Sequence, residues 1–144
     1  MSDNDFQPLD SGKVPRFAGP STFMRLPSAQ ASEVDVALIG IPFDSGTTNR
    51  TGARHGPREI RNQSSLVRRV HHVTGVSPFD IVRAADCGDA PVNPLNLDES
   101  LELIRGFFAD VRQAGAMPLT RMFCGPPRCA SHLTMACRPP FEAT

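Results

Sequence analysis

One short segment of this sequence, residues 44–56, contains the side chains best suited to binding a small polar ligand. It directly follows an apolar run at 34–43. Three glycines within it permit backbone angles that other residues avoid. Such a segment is typical either of a surface loop whose arginines pair with carboxylates, or of one wall of a binding pocket. Its polar residues include Asp44, Thr47, Thr48, Asn49, Arg50, Arg54 and His55.

The glycines of this segment do not fit two common phosphate-binding motifs. A Walker loop ends in Gly-Lys-Ser or Gly-Lys-Thr, and neither triplet follows here. The separations between Gly46, Gly52 and Gly56 also differ from those of the dinucleotide-binding fingerprint. The segment therefore gives no indication of a bound nucleotide.

The regions around this segment have the patterns of a strand and a helix. The apolar run at 34–43 is nearly continuous and rich in Val and Ile, which predicts a strand buried on both faces. The Gly-Pro pair at 56–57 predicts the start of a helix, because Pro is favoured in a first turn. The apolar face of that helix would consist of Ile60, Val67 and Val70, with Leu66 beside them.

The second half of the chain repeats this order. Residues 80–86 predict a second strand, and residues 116–120 begin a third. Asn96 is the predicted N-cap of the intervening helix, Glu99 completes a capping-box arrangement, and Gly115 marks the end of the helix. An apolar stripe along this helix is formed by Leu97, Leu101, Ile104, Phe108 and Val111.

Alternating strands and helices predict an α/β fold with a parallel sheet. In such sheets, ligands bind beyond the carboxyl ends of the strands. The segment 44–56 leaves the first strand at that edge. Its position alone therefore predicts a functional loop.

Length and charge narrow the class of protein. A chain of 144 residues predicts one domain. Its 15 basic and 15 acidic residues cancel, which argues against broad binding to nucleic acid or anionic lipid. Residues 1–33 form a polar arm without the features of a secretory signal, and no apolar stretch is long enough to span a bilayer. We expect a cytoplasmic protein without a membrane partner.

The segment "GIPFDSGTTNRTGARHGPREIR" at 40–61 closely resembles the N-terminal signature of the ureohydrolases, the arginase and agmatinase family. The segments "PRFAGPSTFMRLP", "NQSSLVRRVHHVTG" and "CGDAPVNP" also resemble this family, and most of all its guanidinopropionase and guanidinobutyrase members. The resemblance extends over residues 7–120 in unbroken order. Residues 34–120 are thereby identified as the N-terminal part of a ureohydrolase domain.

The resemblance implies a three-layer α/β/α fold and assembly into homo-oligomers. It implies hydrolysis of a small guanidino compound, such as 3-guanidinopropionate, 4-guanidinobutyrate or agmatine, to urea and an amine. It also implies two manganese ions that bridge and acidify a water molecule, because neutral water is a poor nucleophile toward a guanidinium carbon.

Within this resemblance, three loop residues are candidates for substrate binding. Asn49 and Arg50 could line the end of the pocket that holds the carboxylate of a guanidino acid, since Arg binds carboxylates in bidentate geometry. His55 is either close to the substrate or hydrogen-bonded within the loop. No residue of this chain is predicted to be catalytic.

The resemblance stops after Thr120. The metal-binding motifs of the family, beginning with Gly-Gly-Asp-His, should follow the third strand, but no metal ligand of the family can be carried onto this chain. Codons read from Gly125 in a frame shifted by one base permit an Asp-His pair and an apolar continuation that ends in Trp, which resembles the missing motif. We therefore interpret residues 121–144 as an out-of-frame, non-native tail and expect the chain alone to be inactive.

Two other interpretations stay open at this point. The tail contains Cys124, Cys129, His132 and Cys137, which could bind zinc in a small interaction module. A truncated chain could instead associate with full-length subunits without catalysing a reaction.

Overall fold

The computed structural model of the chain describes residues 6–119, which form a three-stranded parallel sheet with two α-helices. In chain order these elements are β1 (Val36–Gly40), α1 (Gly56–Ser64), β2 (Ala84–Asp89), α2 (Leu97–Gln113) and β3 (Met117–Leu119). The strand order is β2-β1-β3, and both pairs are parallel. The predicted α/β fold with a parallel sheet is confirmed. The tail at 121–144, with its proposed zinc ligands, lies outside the described residues.

The central strand β1 is buried on both faces of the sheet. Ala37 pairs with Ala85 of β2 and Pro118 of β3 in the two ladders. Ala37 and Ile39 belong to one core cluster and Leu38, on the opposite face, to the other. Burial of both faces explains why the run at 34–43 is apolar without alternation. One core cluster contains Phe6, Val34, Ala37, Ile39, Ala85, Val111 and Ala116. The other contains Leu26, Leu38, Phe79 and Ala84.

The ends of α2 follow the sequence signals in part. Asn96 Oδ1 accepts a hydrogen bond from the backbone N–H of Glu99 at 3.2 Å, as predicted for the N-cap. The second bond of a capping box would run from the backbone N–H of Asn96 to the Glu99 carboxylate. That carboxylate instead accepts a hydrogen bond from Asn93 Nδ2 at 2.7 Å. The backbone N–H of Asn96 donates instead to the carbonyl of Asn93. Gly115 has φ 91° directly after the helix, as expected of a C-terminal glycine.

The apolar stripe of α2 is buried at one end only. Val111 is buried, whereas Leu97 and Leu101 are 44% and 37% exposed. At the N-terminal end of α2, the fully buried Ser100 hydroxyl shares its proton between the carbonyls of Asn93 and Asn96, at 2.7 and 2.9 Å. None of the helices within residues 6–119 is long and apolar enough to cross a membrane.

Helix α1 is shorter than the sequence pattern predicts. It ends at Ser64, so the predicted face that included Val67 and Val70 is wrong. Ser64 Oγ donates to the carbonyl of Arg61 and Ser65 Oγ to that of Asn62, both at 2.8 Å. Such side-chain to backbone bonds compete with continuation of a helix. The apolar residues beyond the helix, Leu66, Val67 and Val70, are exposed.

Strand β2 begins later than predicted and is covered by the arm. The predicted strand at 80–86 is wrong in its first half, because Pro78–Asp80 form a 3-10 turn and Ile81 is exposed. The backbone N–H of Asp86 donates to the carbonyl of Pro27 at 3.1 Å, and a parallel bridge joins Ser28 to Asp86. The arm thereby pairs with the outer edge of β2.

A salt bridge between Arg61 and Asp86 joins α1 to β2. Arg61 Nε and Nη2 donate to the two carboxylate oxygens of Asp86 at 2.7 and 2.9 Å. Arg61 Nη1 donates to Asp89 at 2.6 Å. Asp86 also accepts the backbone N–H groups of Phe23 and Gly88 at 2.8 and 3.0 Å. One carboxylate therefore connects the arm, the first helix and the end of the second strand.

This network fixes the charges of its members. Burial alone raises the pKa of Asp86, but hydrogen bonds from Arg61, Phe23 and Gly88 outweigh it and hold the pKa below its usual value. The same pairing raises the pKa of the Arg61 guanidinium. Both groups stay ionised at neutral pH, which identifies a structural role for the pair.

Gly40, at the end of β1, lies where the strand approaches α1 and β2. A Cβ at this position would collide with the carboxylate of Asp89 and lie 2.7 Å from Cβ of Pro57. Neither Pro57, in the first turn of α1, nor Asp89, held by Arg61, can easily withdraw. The strand thus needs glycine at this point for close packing.

We predict that Gly40→Ala lowers the free energy of unfolding by about 1–3 kcal/mol through overpacking. The matched control is Gly106→Ala within α2, where an added Cβ meets open space. That change should stabilise by about 0.5–1 kcal/mol, because Ala favours helix. Urea denaturation measures both, and a loss of equal size in the two variants would contradict the packing argument.

We predict that Asp86→Asn lowers the free energy of unfolding by about 3 kcal/mol at pH 7, because it leaves Arg61 buried without its main counter-charge. The lowered folded-state pKa of Asp86 stabilises the fold above the unfolded pKa of about 3.9, and this contribution is lost as pH falls through the folded pKa. The difference in the free energy of unfolding between wild type and variant should therefore become smaller below about pH 4.

The control for this experiment is Glu102→Gln, which removes the exposed pair with Arg105. It should cost less than about 0.5 kcal/mol. Urea denaturation at pH 7 and pH 3 measures both variants. A loss for Asp86→Asn that is independent of pH would refute the assignment.

Candidate functional site

The loop after β1 and the end of β2 lie at the carboxyl edge of the sheet, where parallel α/β folds bind ligands. The loop runs from residue 41 to the first turn of α1. Residues 86–89 of β2 are hydrogen-bonded to α1 through Arg61. The predicted position of the segment 44–56 at this edge is confirmed.

The base of the loop is held by Asp44, whose side chain is inaccessible to solvent. Its carboxylate accepts the backbone N–H of Gly52 at 2.7 Å and Nε of Arg54 at 2.5 Å. Gly52 has φ 136°, a conformation that favours glycine. The hydrogen bond from Gly52 and the pairing with Arg54 lower the pKa of Asp44. Asp44 therefore shapes the loop as a carboxylate and does not donate a proton.

The three predicted substrate-binding residues lie in or directly after the part of the loop that Asp44 closes. Asn49, Arg50 and His55 are all exposed. None of their side chains is hydrogen-bonded to another residue in the range 6–119, although the backbone N–H of His55 donates to the carbonyl of Gly52. They share one loop, and their role in substrate binding stays a prediction.

An open cleft of about 800 Å³ lies between the arm, α1 and the end of β2. The three candidate residues do not line it. The half-buried Cys87 lines this cleft. Burial and the nearby charges of Asp86 and Glu33 raise the pKa of its thiol, so Cys87 is a weak nucleophile at neutral pH. The charged side chains along the cleft are Glu33, Arg58, Arg61, Asp86 and Asp89.

Sequence reasoning missed the pairing between Arg61 and Asp86, although both residues lay in segments that it singled out. Asp86 is the last residue of the predicted second strand at 80–86. Arg61 closes the segment 40–61, one helical turn after Pro57. A carboxylate at the end of one strand and an arginine on the preceding helix predict an ion pair only when the strand order is known.

The described residues do not fit the manganese site that the family resemblance implies. Within residues 6–119, no group of three His, Cys, Asp or Glu side chains is arranged to hold a metal ion. The carboxylates closest to the carboxyl edge, Asp44, Asp86 and Asp89, are paired with Arg54 and Arg61. These residues build and shape the edge of the sheet.

Comparison with known proteins agrees with the resemblance seen in the sequence. The model of the arginase family matches residues 34–121. Guanidinopropionase of Pseudomonas aeruginosa is 57% identical over 121 residues, which cover 83% of this chain and 38% of that enzyme. Guanidinobutyrase of the same organism is 41% identical over 124 residues, which cover 83% of this chain and 39% of that enzyme.

Solved structures give the same relationship. The proclavaminate amidino hydrolase from Streptomyces clavuligerus superposes with a TM-score of 0.70 at 34% identity, covering 74% of this chain and 37% of that one. A hypothetical agmatinase from Burkholderia thailandensis superposes with a TM-score of 0.67 at 31% identity, covering 73% and 34%. The chain thus spans less than two fifths of the length of these relatives. On the match to residues 34–121, which is more than half of its length, this chain belongs to the arginase family.

Proposed function

We propose that this chain supplies the amino-terminal part of a hydrolase that releases urea from a small guanidino compound. The observation that carries the proposal is the 57% identity to a guanidinopropionase over a stretch that includes the whole parallel sheet and its carboxyl-edge loop. Relatives at lower identity are named guanidinobutyrase and agmatinase. We therefore rank 3-guanidinopropionate first as the substrate, before 4-guanidinobutyrate and agmatine.

Arg50 has the chemistry needed at the acid end of such a substrate. Its guanidinium is exposed and forms no ion pair with any carboxylate in the described part of the chain, whereas Arg54 in the same loop is held by Asp44. A free guanidinium binds a carboxylate through two parallel hydrogen bonds. Asn49 beside it offers an amide donor. We assign these two residues to the substrate carboxylate and His55 to the adjacent wall.

The loop fits this assignment because its base is fixed while its tip is open. Asp44 accepts hydrogen bonds from residues 52 and 54, so the intervening segment is closed into a ring. Fixing the ends of a binding segment reduces the entropy lost when a ligand binds. Arg50 and Asn49 lie within that ring and stay available to a ligand.

The hydrolytic step itself is not assigned to the described residues. The family resemblance implies manganese, and no metal-binding cluster lies within residues 6–119. The part assigned to these residues is to build the carboxyl edge and to orient the substrate.

We predict that the 144-residue chain releases no urea from any of the three substrates with added Mn²⁺. A chimera that joins residues 34–119 of this chain to the remaining sequence of the Pseudomonas aeruginosa guanidinopropionase should release urea from 3-guanidinopropionate. A colorimetric urea assay measures both proteins. Turnover by the chain alone would refute the assignment of the metal site, and a folded but inactive chimera would refute the proposed function.

In that chimera we predict that Arg50→Ala raises KM for 3-guanidinopropionate roughly 10- to 100-fold, the range expected for loss of a charge-assisted hydrogen bond. kcat should change little, because the lost contact is made equally in ground and transition states. Agmatine has no carboxylate, so its KM should stay within about twofold of its value in the unsubstituted chimera. Such a change corresponds to well under about 1 kcal/mol of binding free energy.

The matched control is Arg58→Ala, which removes an equal charge from α1 outside the loop. It should leave both KM values unchanged. Steady-state kinetics with the two substrates decides the assignment. An equal rise in KM for both substrates would remove Arg50 from the carboxylate site.

A further inference from the structure

A second cleft, of about 360 Å³, lies between the arm and the segment that follows α1. It shares no lining residue with the larger cleft at the end of β2. On one side it is bounded by residues 8–16 and on the other by residues 65–72. Its ionisable lining residues are Arg16, Arg25, Arg68, Arg69, His72 and Asp10.

The positive charge of this cleft is not balanced by the described residues. Four guanidinium groups line it against one carboxylate, and that carboxylate accepts a hydrogen bond from the backbone N–H of Gly12. None of the four arginines belongs to an ion pair within residues 6–119. By contrast, Arg54 and Arg61 are each paired with an aspartate. Clustered arginines without counter-charges create a positive potential that attracts anions.

Arg25 is the clearest sign of a missing counter-charge. The residue is 4% exposed, yet among residues 6–119 its guanidinium donates only to neutral acceptors, Val14 O at 2.9 Å and Ser11 Oγ at 3.4 Å. Its Nε is buried without an acceptor in the described part of the chain. A buried cation is costly unless an anion compensates it. An anion in the cleft that Arg25 lines would do so.

The backbone adds an independent observation. Met24 and Arg25 have φ 51° and 60°, the left-handed region that non-glycine residues rarely adopt. Such strain is concentrated where a binding site needs a particular side chain in a particular place. In this conformation the Arg25 side chain is buried and lines the basic cleft.

We propose that this cleft binds a small polyvalent oxyanion, a phosphate ester or a polycarboxylate. Its volume lies within the range of small-molecule sites, and arginine forks match phosphate and carboxylate oxygens. Arg68 and Arg69 are exposed and their side chains make no hydrogen bond within residues 6–119, so they are free to close on the ligand. The site is separate from the proposed guanidino-substrate loop and does not depend on it.

The test uses the full chain and isothermal titration calorimetry with pyrophosphate and with citrate. Ionic strength is held constant with NaCl, so that electrostatic screening is the same in every titration. We expect saturable binding of at least one probe, and at least a tenfold loss of affinity in the double variant Arg68→Gln, Arg69→Gln. The control, Arg112→Gln on α2, removes one positive charge, as each single variant does, and should bind as the wild type does. Should the double variant lose its helical circular dichroism, the two single variants replace it, each with an expected loss of at least threefold.

Four results would overturn the proposal. The first is that neither pyrophosphate nor citrate gives more heat than a titration with chloride. The second is that the Arg112→Gln control loses as much affinity as the double variant. The third is binding that is seen only when Asp3 and Asp5 are both changed to Asn, which would make the chain's own acidic start the occupant. The fourth is a change in sedimentation of the double variant with unchanged affinity, which would make the cleft a contact between copies of the chain.

Discussion

The carboxylate of Asp86 is the point on which the arrangement of this chain depends. It is nearly inaccessible, and four donors converge on it from three parts of the sequence. Because all these hydrogen bonds are formed, they offset the free-energy cost of burying the carboxylate. Loss of one donor would weaken the bonds made by the others. The arm, α1 and the end of β2 therefore hold their positions together. Because β1 pairs with β2 and is followed along the chain by the loop and α1, the same network fixes where the loop after β1 begins.

That loop combines a fixed base with free chemical groups. Asp44 and Arg54 neutralise each other at its base, and Gly52 supplies the backbone angle that closes the ring. Arg50 has the same side chain as Arg54 but no partner among residues 6–119, which is the difference between a residue that shapes a site and one that can bind a ligand. This contrast is the physical basis for assigning the substrate carboxylate to Arg50.

The sequence predicted those features that local patterns determine. The buried strand, the cap at Asn96, the glycine after α2 and the parallel sheet all follow from periodicity and capping chemistry. The end of α1 was missed because the Ser64 and Ser65 hydroxyls hydrogen-bond to backbone carbonyls, which ends the helix although the apolar pattern continues in the sequence. Partners far apart in sequence, such as Arg61 and Asp86, depend on strand order and cannot be identified from spacing. The roles of Asn49, Arg50 and His55 remain predictions.

The formal neutrality of the chain conceals how unevenly its charges are satisfied. Fifteen basic and fifteen acidic residues predict no broad attraction to polyanions. The described fold nevertheless pairs Arg54 and Arg61 with aspartates at the carboxyl edge and leaves Arg16, Arg25 and their neighbours beside the second cleft without carboxylate partners. Electrostatic energy depends on these local separations and on burial, since dissolved salt largely screens interactions between exposed charges that are more than about 10 Å apart. A chain with no net charge can thus hold Arg54 and Arg61 in ion pairs at one edge and leave the arginines of one cleft without carboxylate partners among residues 6–119. We infer that an anion in that cleft lowers the energy of the fold.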